Sequence, residues 1–330
     1  KLWQPAWLLW HHLGWKLPQP KPNWLRTHDI LNFLDLAGYQ AVEIKRRMLL
    51  PLNIPLLGPF ANKVIVNLPL FDRLGMMGVV IARPCGVQSS SPAVSVIVPC
   101  RNERGNIADA MRRIPPMGSH TEIIFCDGNS TDGTLEEIAR QKNLHPERDI
   151  SYFSQGKGIG KGDAVRQSFD RAKGEMLMIL DADLTMPPEE LTKFYHCLVE
   201  GKADFVNGCR LVYPMENEAM QHLNLAANWF FGVLFTWLIE QPIRDTLCGT
   251  KVLYKKDYER ICAGRAYFGD FDLFGDFDLL FGASKLHLKI VDLPIRYKAR
   301  TYGSTNISRF RHGWLLLKMS LVALFKLKFQ

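Results

Sequence analysis

Residues 176–183 read Met-Leu-Met-Ile-Leu-Asp-Ala-Asp, a run of five apolar residues that ends in two aspartates. An unbroken apolar run of this length is typical of a strand buried on both faces of a parallel sheet. The i, i+2 spacing in extended backbone directs the carboxylates of Asp181 and Asp183 to the same side. Two hard oxygen ligands on one side suit Mg²⁺ or Mn²⁺, which would complete its shell with water and diphosphate oxygens. The alternative is a pair of turn or helix-capping aspartates, which an isolated triplet of this kind would favour.

The sequence around this stretch alternates β-rich apolar runs with segments of helical periodicity. Predicted strands cover residues 94–98, 122–126, 150–153, 176–180 and 205–207, and predicted helices cover 132–142, 161–173 and 188–200. Strands that alternate with helices of this length imply parallel βαβ units and an α/β fold. In such sheets ligands bind beyond the carboxyl ends of the strands, so the residues that follow each strand are the candidates for chemistry.

Two further strand ends are polar. Residues 99–103 read Pro-Cys-Arg-Asn-Glu, and residues 127–133 read Asp-Gly-Asn-Ser-Thr-Asp-Gly. Asp127 ends a buried strand and can accept hydrogen bonds from a nucleobase or a ribose, although a plain turn aspartate is the alternative. Farther on, residues 156–164 (GKGIGKGDA) combine glycines that permit close backbone approach with two lysines that suit a phosphate. This loop matches neither the GxxxxGK[ST] nor the GxGxxG spacing, and a flexible connection is its alternative role.

Bulk composition narrows the function classes. The chain has 330 residues, with 41 Lys and Arg against 33 Asp and Glu, a formal net charge of +8. This balance favours phosphorylated ligands or an anionic membrane surface. Nucleic acid is disfavoured, because the sequence lacks zinc-finger spacing, an RNP-like signature and a long basic tail. The seven cysteines stand singly with no CxxC pair, which predicts a reduced, cytosolic compartment.

Four segments are predicted along the chain, which begins inside a Trp-rich stretch and is interpreted as a fragment of a longer parent. A Pro, Gly and Ser cluster at 85–92 is a linker between residues 1–84 and a main domain at 93–312. The best apolar run, 225–239, is interrupted by Asn228 and is too short for a transmembrane helix. Residues 313–330 form an amphipathic basic tail that would lie on a membrane surface, or else pack as a terminal helix on its own domain.

Four motifs taken together, residues 94–103, 127–133, 160–162 and 181–183, resemble the GT-A domain of family 2 glycosyltransferases. The resemblance extends over about residues 93–312. It implies a Rossmann-like nucleotide-diphospho-sugar transferase sheet with helices on both faces, and transfer that inverts at the anomeric carbon by direct displacement. Asp181 and Asp183 would hold the diphosphate through the metal. The implied nucleotide pocket is lined by Pro99, Arg101, Glu103, Asp127 and Lys161.

Within that family the chain is similar to the dolichyl- and polyprenyl-phosphate hexosyltransferase branch, on residues 208–210, 245–251 and 293–303. That branch usually carries an arginine ahead of its first acceptor-side helix and a lysine just after an Arg-x-x-Gly motif. This chain has Met-Gln-His at 220–222 and Ser-Thr-Asn at 304–306 instead, so polyprenyl phosphate is only one candidate acceptor. Arg210 and Arg300 are candidates for binding an anionic group, and each has the alternative of pairing with a neighbouring carboxylate.

The acceptor needs a base only if it is not already anionic. The carboxylate-rich stretch 269–278 lies where the family places its acceptor-side acidic residues, and Asp276 is the predicted base. Asp276 and Asp183 form the predicted catalytic pair. Capping of a helix through 279–286 is the alternative role for the aspartates of this stretch.

Residues 1–84 resemble the C-terminal end of class I SAM-dependent methyltransferases, on 23–25, 36–39, 50–51 and 79–84, without the glycine-rich SAM loop. The prediction for the whole chain is hexose transfer from a UDP- or GDP-sugar to a membrane-associated or cell-envelope acceptor. The enzyme would act at the cytoplasmic face of a membrane, and its transferase domain would follow a methyltransferase remnant in the chain. One rival is a sugar-nucleotide-binding scaffold without turnover, and another is a methyltransferase whose main activity lies in a missing N-terminal part.

Overall fold

The computed structural model describes residues 4–14, 25–52, 54–86, 91–158, 160–213, 222–267, 275–300, 302–303 and 309–329. The chain divides into two compact units, one formed by residues 1–85 with 325–330 and the other by residues 86–324. Part of the predicted linker, residues 87–90, lies outside the described residues.

The first unit is built around a two-stranded antiparallel sheet. Its elements are α1 (Gln4–His12), α2 (Thr27–Leu36), β1 (Tyr39–Arg47), α3 (Leu57–Lys63) and β2 (Met77–Pro84), with 3-10 turns at Ile65–Asn67 and Asp72–Leu74. The sheet runs from Tyr39 opposite Pro84 to Arg47 opposite Met77. The end of the chain belongs to this unit, where the Asn67 side chain donates to the carbonyl of Lys328 over 2.7 Å.

The second unit is a seven-stranded sheet flanked by helices. Its elements are β3 (Val94–Cys100), α4 (Arg104–Arg113), β4 (Thr121–Asp127), α5 (Thr134–Leu144), β5 (Asp149–Ser154), α6 (Gly160–Arg171), β6 (Met176–Ile179), α7 (Leu191–Val199), β7 (Phe205–Cys209), α8 (His222–Ile239), β8 (Lys251–Tyr254), α9 (Lys255–Ala263), α10 (Asp276–Lys285), β9 (Ile290–Pro294) and α11 (Arg309–Ala323). Single turns of 3-10 helix cover Pro188–Glu190 and Arg265–Tyr267, and the π-helical turn Leu324–Lys328 continues into the terminal segment, which belongs to the first unit. The strand order is β5-β4-β3-β6-β8-β7-β9. The α/β GT-A-like fold and the five predicted strands are confirmed.

Strand β8 adds an antiparallel strand to the predicted parallel βαβ units. The pairs among β3, β4, β5 and β6 are parallel, as is the pair of β7 with β9. In contrast, β8 runs antiparallel to both β6 and β7. The sequence did not predict this strand because it has only four residues and begins with a lysine. As a result, β8 begins at the sheet edge where the parallel strands end and runs back toward the opposite edge.

Aromatic packing holds the helices on this sheet. Phe125, Phe169, Phe194 and Phe205 lie in β4, α6, α7 and β7, and all four are fully buried. Burial of a phenylalanine side chain contributes about 1.5–3 kcal/mol to stability, so each of these residues stabilises the strand or helix that carries it. Across the described residues, no helix is long and apolar enough to span a bilayer.

Candidate functional site

Three neighbouring strands, β4, β3 and β6, end at one edge of the sheet, and each is followed by a residue in the left-handed backbone region. These residues are Asn102 (φ +57), Asn129 (φ +59) and Leu184 (φ +53). Asparagine tolerates this conformation, whereas a leucine is strained in it by about 1–2 kcal/mol. The carboxylate of Asp183 accepts hydrogen bonds from the Thr185 amide at 3.1 Å and hydroxyl at 2.8 Å, which supports the turn around Leu184.

The loops after β3 and β4 are joined to each other by hydrogen bonds. The Asn102 amide donates to the Ser130 hydroxyl at 2.9 Å, and the Thr131 amide donates to the Asn102 side chain at 2.9 Å. The Glu103 amide donates to the Thr134 hydroxyl at 3.0 Å. The two loops therefore form one rigid wall, in which Pro99 is partly buried and Arg101 is exposed.

Asp127, the last residue of β4, has a buried carboxylate beside these two loops. Its side chain is 3% exposed, and Oδ2 accepts a hydrogen bond from the Ser130 amide at 3.1 Å. Oδ1 is buried and has no hydrogen-bond partner in the described part of the chain. An unpaired buried acceptor costs about 1–3 kcal/mol, so this oxygen is suited to a donor supplied by a ligand.

Lys161, at the start of α6, forms an ion pair with Asp181 over 2.5 Å. Burial raises the pKa of Asp181, but Lys161, together with the charges of Lys251 and Arg210, holds that pKa below its ordinary value. Gly249 closes the pair from the other side, since a Cβ at this position would lie 2.2 Å from both Asp181 Oδ2 and Lys161 Nζ. The carboxylate therefore stays ionised in a closely fitted slot.

Arg300 connects the loop after β3 with the loop after β6. Its guanidinium donates from Nη2 to Asp183 Oδ2 at 2.7 Å and from Nη1 to Glu103 Oε1 at 2.9 Å. Glu103 also accepts from the Asn106 side chain at 2.7 Å, and burial raises its pKa despite the neighbouring guanidinium. Here Arg300 pairs with carboxylates, which was the alternative to anion binding.

The two aspartates fit a divalent cation that is bound together with a diphosphate. Asp181 and Asp183 are hard oxygen donors, and each is paired with a cationic side chain, which shows that this edge of the sheet stabilises positive charge. Among the described residues, no three His, Cys, Asp or Glu side chains cluster as a metal site. A cation held here would therefore take its remaining ligands from phosphate and water.

Arg210, after β7, is held by a carboxylate. Its Nε and Nη2 lie 2.7 and 2.8 Å from the two oxygens of Asp245, which is fully buried. Burial raises the pKa of Asp245, but Arg210 outweighs burial and holds that pKa below its ordinary value. Asn228 of α8 donates to the same carboxylate at 2.9 Å. Anion binding by Arg210 stays a prediction, and the observed contacts are those of the carboxylate-pairing alternative.

The model of the family described as glycosyl transferase family 2 matches residues 95–262, about half of the chain. The chain belongs to glycosyl transferase family 2. Two relatives are the dolichol-phosphate mannosyltransferase of Saccharomyces cerevisiae and the low-salt glycan biosynthesis hexosyltransferase Agl6 of Haloferax volcanii. The first is 37% identical over 109 residues, which cover 32% of this chain and 40% of the relative. The second is 27% identical over 246 residues, which cover 70% of this chain and 54% of the relative.

The chain thus spans only about half or less of the length of these two curated relatives. Among solved structures, glucosyl-3-phosphoglycerate synthase from Mycobacterium tuberculosis in complex with UDP aligns with a TM-score of 0.51 at 16% identity. The alignment covers 72% of this chain and 81% of that one, and it bears on the fold alone. None of these proteins is named as a methyltransferase, so the resemblance of residues 1–84 gains no support.

The acceptor half of this family 2 member is described only in part. Asp276 is the first residue of α10 and follows Gly275, whose φ of +74 favours glycine. Asp270 and Asp272 lie outside the described residues, as do 220–221 and 304–306. Asp278, in the same helix, is a structural carboxylate, since Oδ2 accepts from Arg265 Nε at 2.9 Å.

The sequence did not reveal several contacts that close this candidate site. Gly249 and Lys251 belong to the 245–251 motif. Nothing in a single sequence shows that the glycine lies against Asp181 or that the lysine is fully buried. Asp132, in the loop before α5, accepts from the Arg104 amide at 3.2 Å and from the Tyr302 hydroxyl at 3.3 Å. The Asp-Gly spacing of 127–133 was the only available signal for Asp132.

Proposed function

We propose that this chain transfers a hexose from a UDP- or GDP-sugar to a membrane-associated or cell-envelope acceptor, with inversion at the anomeric carbon. One observation carries the proposal. A buried carboxylate oxygen of Asp127 without a partner lies on the same sheet edge as Asp181 and Asp183, each paired with a cation. Membership of glycosyl transferase family 2 supports the reaction type.

The donor half would bind the nucleotide through the wall formed by the loops after β3 and β4. Asp127 Oδ1 would accept a hydrogen bond from the base or ribose, which removes the cost of the unpaired oxygen. Pro99, Arg101 and Glu103 would line the same pocket. Lys161 and Arg300 would offset the charge that builds on the departing nucleotide diphosphate, provided that they exchange their carboxylate partners for phosphate oxygens.

Asp181 and Asp183 are the residues that would hold Mg²⁺ or Mn²⁺. Such an ion supplies Lewis-acid stabilisation of the negative charge on the diphosphate. The synthase from Mycobacterium tuberculosis was solved with Mn²⁺ and UDP, and the same ion is therefore the first one to test here.

On the acceptor side, a nucleophilic oxygen would attack the anomeric carbon opposite the leaving diphosphate. A hydroxyl acceptor needs a base, for which Asp276 is the candidate, whereas a phosphate acceptor is already anionic. The yeast relative is named as acting with dolichol phosphate, which makes a lipid phosphate one candidate acceptor. Arg210 and Arg300, the predicted anion-binding residues, are both paired with carboxylates, so either would have to exchange such a partner to bind a phosphate acceptor.

Peripheral binding to the cytoplasmic face of a membrane is part of the proposal. Helix α11 exposes Trp314 (70%), Leu317 (37%) and Leu321 (49%), which recur at helical spacing on one face. Lys318 is exposed beside them and suits anionic headgroups. Co-sedimentation with phosphatidylserine vesicles at low salt should retain the protein, and the variant Trp314→Ala should reduce binding. No binding at any salt concentration would remove the membrane from the proposal.

The central experiment is calorimetric titration of UDP- and GDP-sugars with Mn²⁺, and again with EDTA. We expect the nucleotide sugar to bind with Mn²⁺ and not with EDTA. The variant Asp183→Asn should lose this binding, whereas the control Asp109→Asn, on an exposed helix surface, should keep it. If neither nucleotide class binds, the donor half of the proposal fails. Turnover of the bound donor distinguishes an enzyme from a scaffold that only binds, and NMR of the product's anomeric proton reports inversion.

A further inference from the structure

Lys251 is a lysine with no exposed surface, at the first position of strand β8. An ammonium is expensive to remove from water, so its presence in the core calls for a specific role. Its Nζ donates to the carbonyl oxygen of Cys248 over 2.5 Å. The charge also lowers the pKa values of Asp181, which follows β6, and of Asp292 in β9.

That loop, residues 245–250, is held at both ends. Asp245 is fixed by the bidentate contact with Arg210. At the other end, the Gly208 amide donates to the Thr250 carbonyl at 2.9 Å, and Lys251 lies opposite Asn207 in the β7–β8 pair. The Lys251 ammonium adds the contact that fixes the middle of the loop, at Cys248.

The middle of the loop contacts the candidate donor site. Residue 249 follows Cys248, and a Cβ there would lie 2.2 Å from Asp181 Oδ2 and from Lys161 Nζ. The backbone of Gly249 is thus the wall against which the carboxylate and the ammonium are placed. A displacement of this wall by a few tenths of an ångström would change the space available to both groups.

We propose that Lys251 is a positioning residue for Asp181 and Lys161, acting through its bond to Cys248 and the wall formed by Gly249. The inference rests on the proposed function, because it concerns the place where a cation and a diphosphate would bind. Lys251 touches neither ligand. Its effect on the reaction runs through the geometry of the loop, which distinguishes it from Lys161 on the open side of the same carboxylate.

A competing role is purely structural, in which the ammonium compensates the buried charge of Asp292 and does nothing for the donor site. The chain offers a matched control for this possibility. Lys255 follows the other end of β8, and its Nζ donates to the carbonyl of Ala172 over 2.7 Å. Both lysines therefore bond a main-chain carbonyl, but only Lys251 lies behind the Asp181 carboxylate.

The test compares Lys251→Met with Lys255→Met in the full chain. Mn²⁺ binding is followed by EPR of the free ion, UDP and GDP binding in Mn²⁺ by calorimetry, and folding by thermal denaturation. We expect both variants to lower the Tm, but Lys251→Met alone to weaken Mn²⁺-nucleotide binding by about 10- to 100-fold, as for residues that orient metal ligands. Binding by Lys251→Met within about twofold of the original chain, after a similar fall in Tm, would overturn the inference.

A second pair of variants keeps the test decisive if Lys251→Met does not fold. Gly249→Ala inserts a methyl group at the wall, whereas Gly264→Ala at the end of α9 meets its nearest atoms at 3.6 and 3.8 Å, which is ordinary contact. Only Gly249→Ala should weaken Mn²⁺-nucleotide binding, and unchanged binding would also overturn the inference. Failure of the original chain to bind any nucleotide counts against the proposed function, whereas binding by the original chain and by both site variants counts against the inference alone.

Discussion

Arg300 donates a hydrogen bond to Asp183 over 2.7 Å, so a guanidinium lies against one of the two carboxylates proposed to hold a divalent ion. A charge about 4 Å away opposes a second cation by about 1–2 kcal/mol at a dielectric constant close to that of bulk water, which gives the smallest effect expected here. Arg300→Gln should therefore tighten Mn²⁺ binding to the nucleotide-free protein by roughly five- to thirty-fold. The same variant should weaken binding of UDP or GDP, because it removes a partner for the diphosphate.

EPR of free Mn²⁺ and calorimetry of the nucleotide measure these two opposite changes. Arg113→Gln is the control, because Arg113 makes a comparable two-bond contact with Glu189 on the surface. The competition between Arg300 and the metal is refuted if Mn²⁺ affinity falls in Arg300→Gln, or if Arg113→Gln gives the same increase.

Asp127→Asn should separate stability from ligand binding. The variant keeps an oxygen that can accept from the Ser130 amide and removes a buried carboxylate oxygen that has no partner in the described structure. The free energy of unfolding should stay equal or rise by about 1 kcal/mol, while nucleotide affinity falls by about tenfold through loss of the charged acceptor. Urea denaturation and calorimetry give the two numbers. A stability loss without an affinity loss would assign Asp127 to the turn alone.

The Arg210–Asp245 pair should be the most costly ion pair to break. Arg210→Met leaves a fully buried carboxylate uncompensated, which typically destabilises a protein by about 3–5 kcal/mol. Arg113→Met breaks a surface pair with Glu189 and should cost no more than about 1 kcal/mol. Urea denaturation of both variants checks the contrast, and equal losses would contradict it.

The pH dependence of the same pair follows from the lowered pKa of Asp245. An acid whose pKa is lowered by folding contributes stability above its unfolded value, about 3.9, and loses it as the pH falls through the folded value. The unpaired buried carboxylate of Arg210→Met takes up a proton at a higher pH than the paired one, so the difference in unfolding free energy between the original chain and Arg210→Met should shrink as the pH falls. A difference that grows on acidification would contradict this sign.

Asp292 should show the opposite behaviour. Burial raises its pKa to about 6, although Oδ1 accepts from Asn207 at 2.8 Å and Oδ2 accepts from the Arg244 amide. The folded state then binds more protons than the unfolded one between about pH 4 and 6, so this group reduces stability as the pH rises. The free energy of unfolding of Asp292→Asn, relative to that of the original chain, should therefore rise by up to about 3 kcal/mol between pH 4 and pH 7.5. A constant difference across that range would show that the charge of Asp292 is fully compensated.

The convergence of the candidate donor residues at one sheet edge could be predicted because its signals are local. Each of β3, β4 and β6 is an apolar run followed at once by polar residues, and parallel strands bring their carboxyl ends together. The contacts of Arg300 could not be predicted, because almost 200 positions of sequence separate it from Glu103. Only the folded sheet brings these two residues within hydrogen-bonding distance.

The acceptor half resisted prediction for a different physical reason. Strand β8 has four residues, and its first residue is a lysine whose charge would ordinarily place it on the surface. Its burial depends on the Cys248 carbonyl and on the carboxylates of Asp181 and Asp292, which come from three separate segments. Hydrophobic periodicity carries no information about such compensation, so neither the strand nor its reversed direction could be inferred.

Strand β8 separates the sheet into two parts that carry different loops and helices. The nucleotide wall depends on β3, β4 and β6, whereas α8 and α10 are attached through β7, β8 and β9. The two parts meet along the β6–β8 pair and in the loop at residues 245–250, where a Cβ on Gly249 would displace the ends of the Asp181 and Lys161 side chains. On the proposed function, substitutions in α10, which begins at the candidate base Asp276, would change the choice of acceptor and leave the candidate donor residues after β3, β4 and β6 unaltered.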